Sequence, residues 1–195
     1  MLYLKKLSET FQDFPDNESR AVIAFFYGCS HFCEDCQNKE LQRYSEECVP
    51  SSLEDIYEKI TDYCTRTNTK NIVLSGGDPY CDIVPGTQED MLALISTLEI
   101  EGYTVCVYTG YNIDYVNSLY EPLFYRKDDI PYDPEMPVFW KKPSYVKCGT
   151  YKKDLRDPAM GKYDDRFVLA STNQRFYCRE DDEFTPMSDT HVIEL

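Results

Sequence analysis

Three cysteines at C-x3-C-x2-C spacing, Cys29, Cys33 and Cys36, occupy the loop of residues 28–38, directly after the apolar run of residues 21–27. No other feature constrains the chain so tightly. A loop this short brings three thiolates close together, and thiolates are soft ligands that select iron-sulfur clusters, zinc or copper(I) over magnesium or calcium. Four cysteines would saturate the irons of a cubane cluster, whereas three leave one iron without a protein ligand and free to bind a substrate. His31 lies in the same loop, so Cys29, Cys33, Cys36 and His31 are also a donor set for a closed Cys3His zinc site. On the loop alone, a reactive cluster and a structural zinc site both stand open.

A chain of 195 residues is long enough for one substantial core, and a single domain over residues 1–195 is expected, its core within about residues 20–180. No run reaches the roughly 18 to 20 apolar residues of a membrane span, and residues 1–15 lack the apolar centre of a secretory signal, so a cytoplasmic protein with no membrane contact is expected. Nine cysteines is an odd number, and only three cluster, so reduced thiols are expected instead of a disulfide scaffold. Cys48, Cys64, Cys81, Cys106, Cys148 and Cys178 stand singly among apolar neighbours and read as core residues. The formal net charge of −15 argues against direct nucleic-acid binding, which draws on lysine and arginine to neutralise phosphates. The acidic run Glu180-Asp181-Asp182-Glu183 reads as a solvated loop.

Along the chain, residues 2–7 alternate as an edge strand does, and residues 8–19 read as a polar loop. Residues 21–27 are continuously apolar and end at Gly28, as expected of a strand covered on both faces in a parallel sheet. Ser51 and Ser52 offer a helix cap, followed by Leu53, Ile56, Ile60 and Tyr63 near helical spacing. Residues 71–75 read as a second strand running into Gly76-Gly77-Asp78-Pro79. Met91, Leu92, Leu94, Ile95 and Leu98 mark a helix that stops at Gly102, and residues 104–108 a third strand ending in Thr109-Gly110-Tyr111. Strand, helix, strand, helix, strand means right-handed βαβ units. At roughly thirty residues per unit, the length supports about six units, so the expected fold is α/β, a partial (β/α)6-type barrel with an open parallel sheet.

From residue 121 to 143 the pattern loosens into an aromatic excursion punctuated by five prolines and carrying Trp140. Regular structure is expected again over residues 145–148, 166–170 and 175–178. In a parallel sheet the loops at one rim face one volume, so residues 28–38 and 76–79, which follow neighbouring strands, belong to one site. Paired glycines let backbone approach a ligand closely, and Asp78 with nearby carbonyls can accept hydrogen bonds from an ammonium group.

The cysteine loop followed one unit later by Gly76-Gly77-Asp78-Pro79 resembles the radical S-adenosylmethionine enzymes. The resemblance narrows with Tyr108-Thr109-Gly110-Tyr111, Lys147-x-Gly149-x-Tyr151, Asp154-Leu155-Arg156-Asp157 and Ser171-Thr172-Asn173-Gln174-Arg175. Together these look like the activating proteins of anaerobic ribonucleoside-triphosphate reductases, over about residues 21–178.

The resemblance implies a radical S-adenosylmethionine barrel holding a [4Fe-4S] cluster on Cys29, Cys33 and Cys36. The open iron would be chelated by S-adenosyl-L-methionine, whose amino group Gly76, Gly77 and Asp78 would hold. It further implies a flavodoxin-type electron donor, and the glycyl-radical subunit of anaerobic (class III) ribonucleotide reductase as partner. Asp35 stands where many such enzymes carry an aromatic or apolar residue beside the adenine, so backbone around Asp35, Cys36 and Gln37, or Phe32, is expected to supply that contact. Asn173, Gln174 and Arg175 read either as contacts to cofactor or partner or as local satisfaction of backbone. The alternatives are an activase of another glycyl-radical enzyme, of the formate-lyase type, and a zinc-stabilised interaction module.

Overall fold

A computed structural model describes residues 1–11, 13–15, 20–45, 48–121, 140–156 and 170–187, which form a seven-stranded sheet backed by three α-helices. The strands are β1 (Leu4–Thr10), β2 (Ala21–Phe26), β3 (Asn71–Gly76), β4 (Thr104–Tyr108), β5 (Tyr145–Cys148), β6 (Arg175–Glu180) and β7 (Glu183–Pro186). The helices are α1 (Leu53–Thr67), α2 (Thr87–Ile100) and α3 (Ile113–Leu119). Strand order in the sheet follows chain order. With right-handed crossovers, that order places all the helices on one face.

β2, β3, β4 and β5 pair in parallel, whereas β1 lies antiparallel on one edge and β6 and β7 antiparallel on the other. The α/β class and the open sheet are therefore as expected, but the described residues build a parallel run of four strands instead of six repeated units. The reason at the far edge is local. Asp181 and Asp182, at φ of 47° and 65°, make a two-residue turn, and such a turn joins only antiparallel neighbours. The acidic run read as a solvated loop is this hairpin.

β2 shows why its run is apolar throughout. Val22, Ala24 and Phe26 face the helix-side core with Ile56, Ile60, Leu94 and Ile95, while Ala21 and Ile23 join Phe14, Val73, Cys106 and Phe176 on the other face. Both faces are covered, so alternation disappears. Ser52 caps α1 by accepting the Asp55 N–H at 3.1 Å, and Asn68 ends it at φ 52°.

Several expectations shift. β1 continues to Thr10, into the stretch read as a loop, because residues 7–10 pair with residues 21–24 of β2. Helix α3 was not foreseen; Asn112 starts it by accepting the Tyr115 N–H at 2.8 Å. Cys64, Cys81, Cys106 and Cys148 are buried as expected, but Cys48 and Cys178 are only half-buried. All but the last residue of the strand expected over residues 166–170 and most of the excursion over 121–143 lie outside the described residues, as does Asp157. Trp140, at the end of that excursion, packs against the helix-side core. No helix among the described residues is long and apolar enough to cross a membrane.

One buried carboxylate ties the helix layer to the distal strands. Glu99, in the last turn of α2, accepts the N–H groups of Val105 at 2.9 Å and Ser144 at 2.7 Å, the Ser144 hydroxyl, and Arg179 Nη2 at 2.8 Å. Removing one partner of a buried ion pair leaves an uncompensated charge. Glu99→Ala should therefore lower stability by about 3 to 5 kcal/mol, read from urea denaturation of the metal-free protein. A loss below about 1 kcal/mol would mean that Arg179 finds solvent instead.

Candidate metal centre at the carboxyl rim of the sheet

β2 delivers the cysteine loop, and a return turn pins it in place. Gly28 donates its N–H to Leu41 O at 2.8 Å and Cys29 donates to Gln42 O at 3.1 Å, while a short 3-10 turn over Lys39–Leu41 buries Leu41. Within the loop, Phe32 and Asp35 both stand at positive φ (45° and 54°), which lets the chain double back between its cysteines.

The diglycine turn after β3 packs directly on this loop. Gly77 donates to Phe26 O at 2.8 Å and Asp78 to Gly28 O at 2.7 Å. A Cβ at Gly77 would lie 2.1 Å from Gly28 O, so only glycine allows the approach. The rim argument from sequence is thus met: the two loops are neighbours, joined backbone to backbone.

Asp78 joins a third loop to them. Its buried carboxylate accepts the Tyr80 N–H at 3.0 Å and the Thr109 hydroxyl at 2.9 Å on Oδ1. On Oδ2 it accepts the Gly110 N–H at 2.7 Å, and that oxygen lies 2.9 Å from His31 Nε2. His31 in turn meets the edge of Tyr111, ring centres 4.5 Å apart. The loops following β2, β3 and β4 therefore converge on one carboxylate. His31, the fourth donor of the zinc alternative, is engaged by that carboxylate.

Below the three loops lies a cavity of about 440 Å³. Cys29, Cys33 and Cys36 line it, with Gln37 and Asn38 from the same loop and Gly77 and Asp78 from the next. Lys147 in β5, residues 149–151 and Gln174 line it as well. Asp35 and Gly76 stand apart from the lining. Asp35 is exposed and ion-paired with Lys153, which holds its carboxyl below the usual carboxylate range. Gly76 closes β3, its carbonyl accepting Asn38 Nδ2 at 3.2 Å.

Burial pushes the Cys29 thiol up to about 11, against the N–H groups of His31 and Phe32 that favour its thiolate. Burial also raises Cys33, against an N–H from Tyr151. Ligation of a metal would therefore displace protons from these thiols. Among the described residues, no three His, Cys, Asp or Glu side chains are placed to hold a single ion. A lone zinc needs all its ligands within about 2.3 Å of one centre, whereas the thiolates of a cubane sit on different corner irons. Three thiols facing one roomy cavity fit the second arrangement.

Residues 18–130, more than half of the chain, match the family described as 4Fe-4S single cluster domain. The chain belongs to that family. The matched span contains both the three-cysteine loop and the diglycine turn, so this cluster domain carries the soft donors and the cavity that an iron-sulfur cluster requires. No curated protein matches the sequence.

Sequence reasoning gave no role to Lys147, a buried cation among the described residues. It is 9% exposed and its Nζ lies 3.7 Å from the centre of the Tyr108 ring. Burial pulls its ammonium down to about 8, with Asp13 and Cys106 pulling it back up. The signal in the sequence was a lysine inside an otherwise buried strand, two residues before a glycine at the rim.

A lysine whose folded pKa is depressed is charged in both folded and unfolded chains below about pH 8, where the full cost of burying the charge is present. Between about 8 and 10.5 the unfolded chain binds more protons, so this group makes stability rise with pH. Lys147→Met should thus stabilise the metal-free protein at pH 7 by up to about 3 kcal/mol, less what the Tyr108 contact contributes. Urea denaturation at pH 7 and near pH 10 should show that margin narrowing, and a margin independent of pH would show that Lys147 does not titrate in this range.

Proposed function

We propose that this cluster domain is a radical S-adenosylmethionine enzyme that generates the glycyl radical of anaerobic (class III) ribonucleotide reductase, working in the cytoplasm with a flavodoxin-type electron donor. The observation that carries the reading is the convergence of three βα loops on Asp78, above a single cavity lined by Cys29, Cys33 and Cys36. A closed zinc site gives no reason for such a cavity or for the glycine turn beside it.

A [4Fe-4S] cluster held by Cys29, Cys33 and Cys36 would, once reduced, supply the electron for reductive cleavage of S-adenosylmethionine, the chemistry needed to remove a Cα hydrogen from a glycine of the partner. The chain's own residues have narrower tasks. Cys29, Cys33 and Cys36 would hold the cluster, and three thiolates would leave one iron without a protein ligand. Backbone at Gly77 and Asp78 would orient the amino group of the cofactor, with the Asp78 carboxylate keeping that turn in place and Gly76 closing the strand behind it. Lys147 offers the cavity's buried ammonium to an anionic group. Backbone at Cys36 and Gln37 would border the adenine, whereas Asp35, outside the lining, would not. The walls shield the reaction from water until the partner's glycine segment arrives at the rim.

Anaerobic reconstitution with iron and sulfide, followed by reduction and addition of S-adenosylmethionine, should release 5′-deoxyadenosine. A glycyl doublet in the electron paramagnetic resonance spectrum should appear only when the ribonucleotide reductase is present. A doublet formed instead on a formate-lyase-type partner would redirect the assignment, and one zinc per chain without iron or sulfide would end it. Cys29→Ala, Cys33→Ala and Cys36→Ala should each abolish 5′-deoxyadenosine formation and leave the circular dichroism spectrum nearly unchanged, because the loop lies outside both apolar cores.

A further inference from the structure

Two side chains of the cysteine loop reach across to the diglycine turn, and the chemistry proposed above gives neither a task. Asn38, two residues after Cys36, donates from Nδ2 to Gly76 O at 3.2 Å. His31, two residues after Cys29, meets Asp78 Oδ2 through Nε2 at 2.9 Å; a carboxylate only accepts, so the ring donates. The third loop leaves room for that ring, since a Cβ at Gly110 would lie 2.3 Å from His31 Cδ2. The turn is thus gripped at both ends by the loop that carries the thiols.

These grips also decide which acceptors remain in the turn. Gly76 O is taken by Asn38, and Asp78 O by the Cys81 N–H at 3.0 Å. The Asp78 carboxylate receives Tyr80, Thr109, Gly110 and His31, which fills the roughly four lone-pair sites of its two oxygens. Of the three carbonyls from Gly76 to Asp78, only that of Gly77 accepts no hydrogen bond among the described residues. Gly77 lines the cavity beside Cys29, Cys33 and Cys36.

We infer that Asn38 and His31 are positioning residues that set the affinity for the cofactor's amino group, holding Gly76 and Asp78 so that the Gly77 carbonyl is left for the ammonium. A turn ordered in advance binds its ligand without the entropic cost of ordering itself at that moment. The inference rests on the reading of this turn as the seat of S-adenosylmethionine, and it is independent of which partner supplies the glycine.

Asn38→Asp keeps the size of the side chain and deletes the donor to Gly76 O, and His31→Phe keeps a ring and deletes the donor to Asp78. His31→Gln restores an N–H at similar reach. The full-length variants and the parent would be reconstituted anaerobically with iron and sulfide and assayed for iron. Once reduced, they would be assayed for 5′-deoxyadenosine release over a range of S-adenosylmethionine concentrations. Asn38→Asp and His31→Phe should bind the parent's complement of iron and raise KM for S-adenosylmethionine about fivefold, the weight of one net hydrogen bond, with kcat little changed. His31→Gln should keep the parent's KM. In the metal-free proteins, hydrogen exchange at residues 76–78 should quicken about fivefold in the first two variants, while exchange in β4 stays as in the parent. Glu40→Gln, at an exposed position that makes none of these bonds, should change neither readout. A parent-like KM in Asn38→Asp and His31→Phe, with or without quickened exchange, would reduce the two side chains to structural braces and overturn the inference. Loss of iron from either variant would overturn it too, by tying that residue to the cluster instead. A parent protein that binds iron yet does not cleave S-adenosylmethionine would instead remove the reading beneath it.

Discussion

The carboxylate of Asp78 is the joint on which the rim depends. Backbone N–H groups of Tyr80 and Gly110, the Thr109 hydroxyl and the His31 ring all meet it in a buried position, so loops from three successive strands share one anchor. Charge-assisted bonds of this kind are stronger than neutral ones, and a buried carboxylate with its donors in place is stable where an orphaned one is not. Each loop alone is short and unable to hold a shape against its own entropy. Cross-linked through one side chain, they form a rigid edge from which three thiols face the same cavity.

Most of the framework was legible in the chain because apolar periodicity records burial directly. β2, β3 and β4 could be read from runs such as Ile72-Val73-Leu74 and Val105-Cys106-Val107, and α1 from Ile56 and Ile60 with Ser52 ahead of them, though Cys64 and not Tyr63 completes its buried stripe. What failed was short or locally encoded. α3 is seven residues with one fully buried side chain, Val116, so its only signal was the Asn112 cap. β7 is four residues reached through two aspartates, and nothing in their charge announces a hairpin.

The polar wiring was less legible than the apolar frame, for a physical reason. Hydrophobic burial is non-directional and leaves a period, whereas a hydrogen bond depends on which loop the topology sets beside which. That His31 meets Asp78, or that Asn173 meets Thr150, follows only once the strands are placed in order. Asp35 illustrates the limit in the other direction. Its place inside the cysteine loop suggested the cavity, yet it lies outside the lining and answers Lys153. Lys147 is the converse case: a lysine in a strand ordinarily marks the solvated face, and here it marks the inner one.

Among the described residues the open sheet has two unpaired margins, and such a margin is an invitation to a foreign strand. At one margin β1 carries adjacent exposed lysines, Lys5 and Lys6, and its pairing slips register at the same place, between Leu4 and Lys6. At the other, β7 is only four residues long, begins with an exposed glutamate and ends on Pro186, which has no N–H to offer. Charge, irregularity, brevity and a missing donor are the means by which natural sheets refuse edge-to-edge growth. A fold left ajar for chemistry is thereby kept from polymerising through its sides.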